Sequence, residues 1–173
     1  MNPQYSCQQF PLVQILQSRP QAIADITGSP DFPQITGKVR LYQTGSGVII
    51  YADIRNLPDA ETPCQKRIFG FHIHSGNECT GNEMDPFSAS MSHYNPDNCP
   101  HPYHAGDLLP LFGNHGTAVS LFLTDRFSFT DVIGKAIIIH DSPDDFTTQP
   151  SGKAGTKIAC GIIRNAGARQ TSC

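Results

Sequence analysis

Apolar and polar residues alternate with a period of two along most of this chain, beginning at Ala22. Ala22-Ile23-Ala24-Asp25-Ile26 predicts a short strand, and GSPDFP (28–33) predicts a turn. Residues 35–42 alternate around Val39 and Leu41, TGSG (44–47) reverses the chain, and VIIYADI (48–54) returns beside it, a hairpin pattern. A loop is expected at 57–67 and a further strand over 68–74. From 75 to 115 periodicity disappears, and a segment of that length inside a compact domain is usually functional or disordered. Strands are expected again at 117–123, around Phe127 to Phe129, at 135–140 (KAIIIH) and at 157–163 (KIACGII), with a second long loop at 141–156. Ahead of all of these, Phe10, Leu12, Val13, Ile15 and Leu16 predict a short helix within 5–18, ended before Pro20. The expected organisation is an N-terminal arm over 1–19, one β-domain over 20–165 and a polar tail over 166–173. About eight short strands with two long loops predict an all-β antiparallel sandwich or barrel.

Composition narrows this picture. A chain of 173 residues can bury one real core, and 15 Gly with 14 Pro favour many turns over a helical bundle. A formal charge of −3 gives no reason to expect a nucleic-acid or anionic-membrane partner. An anionic substrate would need a local positive patch to offset that mild repulsion. No stretch approaches the roughly 18 apolar residues of a membrane span. The first twenty residues carry neither a basic region nor a long apolar run, so no signal peptide is expected and a cytoplasmic location follows as the expectation. The six cysteines, Cys7, Cys64, Cys79, Cys99, Cys160 and Cys173, include no CxxC pair, which excludes a zinc ribbon or thioredoxin motif. Their pairing is left open: a reducing compartment favours thiols, cysteine-bearing loops favour disulfides.

The chemistry is concentrated in one stretch. Five of the seven histidines lie between His72 and Asp107, and His140 ends a later apolar run. Neutral imidazole is the commonest side-chain metal ligand. His72 and His74 stand two apart on a predicted strand, so both rings face one side. His101, His104 and Asp107 form H-x-x-H-x-x-D, a nitrogen and oxygen set suited to tetrahedral zinc. His93 can reach both, and an all-imidazole set with His140 suits copper as well as zinc. His115, in NHG, is expected to be a turn residue.

GFHIH, HYNP, HPYHAGD, the IIIH strand end followed by DD, and GKAGTKIACGII resemble the copper-zinc superoxide dismutase family in order and spacing over about 20–165. The resemblance implies an eight-stranded antiparallel Greek-key β-barrel, and superoxide dismutation to oxygen and hydrogen peroxide by a redox-cycling copper bridged through His93 to a structural zinc. It implies His72, His74, His93 and His140 as copper ligands and His93, His101, His104 and Asp107 as zinc ligands. It implies that Asp144 links a copper ligand to a zinc ligand, that Cys79 and Cys160 form a disulfide, and that His93 and Lys157 take part in catalysis. The substrate would be superoxide, and a homodimer is left open. Two positions depart from the family pattern. Lys157 stands where the family has arginine, keeping the charge but losing the planar two-pronged donor, and Lys153 adds charge nearby. The two-residue gap between His101 and His104 compresses the zinc subloop. These departures give weight to an alternative, a dismutase-like copper-binding or copper-buffering protein with little activity. A purely structural zinc domain would explain only His101, His104 and Asp107.

Overall fold

The computed structural model describes residues 12–59, 62 and 67–167. The first helix is α1 (Leu12–Gln17), where the apolar spacing places it; the rest of the expected helical span and the greater part of the tail lie outside the described residues. Three strands then form a meander: β1 (Ala22–Gly28), β2 (Thr36–Thr44) and β3 (Gly47–Arg55). β2 and β3 pair from Thr36 opposite Arg55 to Thr44 opposite Gly47, so TGSG is the predicted hairpin turn. Gly47 adopts φ 132°, and a Cβ there would come within 2.3 Å of Thr124 O, so only glycine fits. Alternation sends Val39, Leu41, Val48, Ile50, Ala52 and Ile54 inward, and all six are buried.

The expected strand over 68–74 is broken at Gly70 into β4 (Ile68–Phe69) and β5 (Phe71–His74). Gly70 N donates to Ser142 O at 2.8 Å, and a Cβ at Gly70 would stand 2.8 Å from Ala154 Cβ. The second long loop therefore packs on the break. Within the segment without periodicity, Leu111–Phe112 forms β6 and pairs with β4. β7 (Ala118–Thr124) follows and pairs with β3. The strand expected around Phe127 to Phe129 is not one: 129–132 forms a helical turn, α2 (Phe129–Val132). Ser128 N donates to Asp131 Oδ2 at 2.8 Å, half of a capping box in S-x-x-D that outweighs the two phenylalanines. β8 (Ala136–His140) and β9 (Lys157–Ile162) come next, and β10 (Arg164–Asn165) pairs with β1 just before the expected polar tail.

The main sheet runs β5-β8-β9-β1-β2-β3-β7 and is antiparallel throughout, with β4 and β6 paired beyond β5. Counting β4 and β5 as one broken stave gives the eight of a curled barrel, and the crossing from β7 to β8 makes the connection of a Greek key. β8 and β9 carry continuous apolar runs because both of their faces are covered. Ile137 and Ile139 join the barrel core, while Ala136, Ile138 and Cys160 pack with Phe87 from the first long loop. Cys79 and Cys160 form a disulfide that ties this loop to β9. It closes a separation of 81 residues, so its loss should destabilise the fold by about 2–5 kcal/mol. A Cys79→Ser/Cys160→Ser protein is expected to unfold at correspondingly lower urea, and an unchanged midpoint would contradict this.

Candidate metal centre

The loop containing His93 is threaded along β5. Tyr94 N donates to Ile73 O at 2.8 Å, Gly106 N to Tyr94 O at 2.8 Å and Ile73 N to Gly106 O at 2.9 Å. A Cβ at Gly106 would lie 2.2 Å from Ile73 O, so this close approach depends on glycine. It sets His74 opposite His93 and His72 opposite Asp107. From the other side, β8 delivers His140 after an irregularity between Ile139 and His140, with His140 opposite Lys157 of β9. Residues from β5, β8 and the first loop thus meet at one end of the barrel.

Two groups of donors result. His72, His74, His93 and His140 have one ligand atom each within 4.8 Å of one another, and so do His93, His101, His104 and Asp107. All seven residues are buried, and His93 belongs to both groups. His115 is exposed on its turn, 3.6 Å from Asp59, and is not brought to the site.

The outer partners decide which nitrogen of each ring is free. His74 Nδ1 donates to Met91 O at 2.8 Å and His140 Nδ1 to Gly155 O at 3.2 Å, since a carbonyl can only accept. Asp144 accepts from His72 Nε2 on one oxygen and His101 Nε2 on the other, each at 2.9 Å. What remains is a set of buried nitrogens without hydrogen bonds: His72 Nδ1, His74 Nε2, His93 Nε2 and His140 Nε2 in the first group. In the second, His101 Nδ1 and His104 Nδ1 stand 3.1 and 3.3 Å from Asp107 Oδ2 without hydrogen-bond alignment, and His93 Nδ1 is 2.7 Å from Asp107 Oδ1. Buried polar atoms are rarely left unpaired. Seven inward-facing nitrogens with a carboxylate fit one all-imidazole ion and one tetrahedral N₃O ion sharing a ring.

Burial favours the neutral form of His72, His74 and His140, the form in which imidazole is a ligand. Desolvation lowers His72 and His74, His74 well below the usual 6.5, and with the neighbouring His72 it takes His140 to about 3. For Asp107 burial acts upward, but His93, His104 and His101 outweigh it and the carboxyl is lowered. Asp144 is likewise pushed up by burial, yet hydrogen bonds from His72, Phe146 N and His101 bring it down to about 2.

Several contributors carried no signal in the sequence. Arg126 Nη1 donates to Pro102 O, His104 O and Asp107 O at 3.2, 3.1 and 3.0 Å. Gln149 brackets His101, accepting from its N at 3.0 Å and donating to its O at 2.7 Å. These contacts hold the compressed segment between His101 and Asp107 from outside. Lys157 lines a cleft of about 360 Å³ with His74, His93, His104, His140 and Met91, whereas Lys153 does not reach it. Among the described residues Cys99 pairs with no other cysteine, and Cys64, a partner considered for it, lies outside them.

A β-barrel with two adjoining donor groups that share one imidazole defines a protein built for two ions side by side. The model of copper/zinc superoxide dismutase (SODC) matches residues 35–163. The Cu-Zn superoxide dismutase 2 of Aquifex aeolicus is 34% identical over 147 residues, 76% of this chain and 80% of that protein. The Cu-Zn superoxide dismutase of Legionella pneumophila is 33% identical over 156 residues, 83% of this chain and 90% of that protein. The solved structure of Cu/Zn superoxide dismutase from Brucella abortus superposes with a TM-score of 0.69 at 21% identity, covering 82% of this chain and 98% of that one, a likeness of fold. The chain belongs to the copper/zinc superoxide dismutase family. No helix among the described residues is long and apolar enough to cross a membrane.

Two outcomes are expected. Arg126→Ala, which frees three carbonyls of the second group's loop, should weaken zinc binding about 10–100-fold in a chelator competition, as loss of an outer partner does; unchanged affinity would remove Arg126 from the site. Metal-free protein should lose stability as pH falls. Between the usual 6.5 and about 3, the unfolded chain binds a proton at His140 that the folded chain does not. Asp144 stabilises above its usual 3.8 and loses that contribution as pH falls toward about 2. Thermal midpoints should therefore drop from about pH 7.5 to about pH 5, and a flat profile would be the contrary result.

Proposed function

We infer that this chain dismutates superoxide to oxygen and hydrogen peroxide, with copper held by His72, His74, His93 and His140 and zinc by His93, His101, His104 and Asp107. The membership of His93 in both groups carries this reading. A copper-buffering protein needs one ion and no shared ring, so the second group favours catalysis over storage. Bound copper supplies one-electron redox chemistry, by which two superoxide anions and two protons become one oxygen and one hydrogen peroxide, while zinc supplies a fixed positive charge.

The chain's own residues do the rest. His93 Nε2 is buried without a partner beside His72, His74 and His140, so a proton can be held there and passed to a reduced product. On its other side His93 Nδ1 faces Asp107 in the second group, so an ion held by that group would keep the ring from turning away. Asp144 and the carbonyls of Met91 and Gly155 orient the remaining rings. Lys157, the one lysine or arginine lining the cleft among the described residues, attracts and docks the anion. A homodimer joined through the exposed Val119, Leu121 and Leu123 of β7 belongs to the same proposal.

Reconstitution tests it directly. Protein given copper and zinc should take up one of each per chain and dismutate superoxide. Stoichiometric zinc with no copper uptake would overturn the reading. Lys157→Ala should lower the rate by about threefold to tenfold at low salt and flatten its dependence on ionic strength; an unchanged rate would remove Lys157 from the mechanism.

A further inference from the structure

Lys157 is not a free cation. Its Nζ donates to Asp85 Oδ2 at 2.7 Å and to Phe87 O at 3.2 Å. An ammonium has three N–H groups and no acceptor, so one donor remains for a molecule in the histidine cleft. The lysine side chain is 14% exposed and the aspartate 38%. The pair therefore sits at the wall of the cleft, less hydrated than two surface residues would be.

Asp85 is held in place by its own turn. Asp85 Oδ1 accepts from Phe87 N at 3.0 Å, Asp85 N donates to Asn82 Oδ1 at 3.1 Å, and Asp85 O accepts from Asn82 N and Ser88 N at 3.0 and 3.1 Å. The carboxylate is thus presented to Lys157 by a fixed backbone, on the segment that Cys79–Cys160 ties to the same strand. On the far side of Lys157 lies a second cleft of about 320 Å³, lined by Asp31, Glu83 and Asp85 as well as Lys157. The ammonium stands between a histidine cleft with no other lysine or arginine in its lining and an acidic one.

We propose that Asp85 is the built-in counter-ion of Lys157: it draws the ammonium toward the disulfide-tied loop, cancels much of the charge that the histidine cleft would show an approaching monoanion, and thereby sets the anion affinity and salt dependence of this protein. This role presupposes Lys157 as the anion-facing cation proposed above. A lone ammonium at the wall would attract an anion over a Debye length of about 8–10 Å at physiological salt. A carboxylate 2.7 Å away turns that charge into a dipole, whose field falls off much faster. With a net charge of −3, the chain has no overall positive field to make up the difference. Anion capture then depends chiefly on the single remaining N–H at short range, with only a weakened long-range attraction left to steer the anion.

Azide, a small monoanion, serves as the probe. Its binding to the copper- and zinc-loaded protein is followed by visible absorption at low and high salt, for the wild type, Asp85→Asn, Lys157→Gln and the double variant. The amide introduced by Asp85→Asn keeps an oxygen for Phe87 N, so the turn should survive; Asp85→Ser, which offers a hydroxyl to the same N–H, repeats the measurement, and thermal midpoints of the metal-free proteins verify folding. Both single Asp85 variants should bind azide about tenfold tighter at low salt, with the gain shrinking at high salt. Lys157→Gln should bind more weakly than the wild type, and the double variant should recover part of that loss, because a carboxylate left without its ammonium repels an anion in the cleft. Wild-type affinity in both folded Asp85 variants, with weaker binding by Lys157→Gln, would overturn the counter-ion role and leave the anion-facing role of Lys157 standing. Weaker binding by the Asp85 variants would also overturn it, since Asp85 would then position Lys157 for the anion. No effect of Lys157→Gln would sink both.

Discussion

The site depends on one carboxylate shared by two imidazoles. Asp144 accepts from His72 on one oxygen and from His101 on the other, at equal distances, and both rings are buried. Its effect is to choose a tautomer twice. With Nε2 of each ring committed as a donor, Nδ1 of His72 is left for the all-imidazole group and Nδ1 of His101 for the group around Asp107. The two groups are therefore coupled before any ion arrives, because a shift of Asp144 would misorient one ring in each. The low pKa of Asp144 follows from the same contacts: burial alone would raise it, and three hydrogen bonds reverse that. A carboxylate that stays ionised in a buried setting is a fixed acceptor, which an orienting group has to be.

The second requirement is to hold a short loop in place. Only two residues separate His101 from His104, yet both rings reach Asp107. The chain manages this by bracing the segment from elsewhere. Gln149 from the second loop grips the backbone of His101, Arg126 from the β7–α2 connection grips three carbonyls, and His104 N donates to Asp107 Oδ2 at 3.0 Å. Charge-assisted bonds from one guanidinium to carbonyls satisfy backbone acceptors that a longer loop could satisfy within itself. The compression thus relocates the support for the second group without removing a donor from it.

Most of the barrel was legible in the alternation, because period-two burial is a local property of strands: β1, β2, β3, β7, β8 and β9 fall where the apolar pattern puts them. The donors were legible too, since histidines two apart on a strand and the H-x-x-H-x-x-D spacing constrain where rings point. The failures lie where the determining contact is distant or the pattern is too short. β6 and β10 are two residues each and exist only through their partners β4 and β1. The turn at 129–132 was hidden because phenylalanines favour strands while Ser128 and Asp131 cap a helix. Arg126, Gln149 and Asp85 are ordinary polar residues whose roles arise from contacts with segments 19 to 72 residues away.

Met91 illustrates how much local strain this arrangement accepts. It is not glycine, yet it adopts φ 65° and ψ −146° just after a short 3₁₀ turn at Ser88–Ser90. Backbone in such a region costs a side-chain-bearing residue about 1–3 kcal/mol and persists only where surroundings over-determine it. Here the surroundings can be named. Met91 N is tied to Ser88 O, the flanking Ser90 and Ser92 carbonyls accept from Gly76 N and Ser75 N, and Met91 O accepts from His74 Nδ1. Relaxing the dihedral would withdraw the carbonyl that fixes the tautomer of His74 and, with it, the unpartnered Nε2 facing the other rings. The strain is therefore coupled to the orientation of a donor, and the exposed methionine side chain at the cleft rim is its visible consequence.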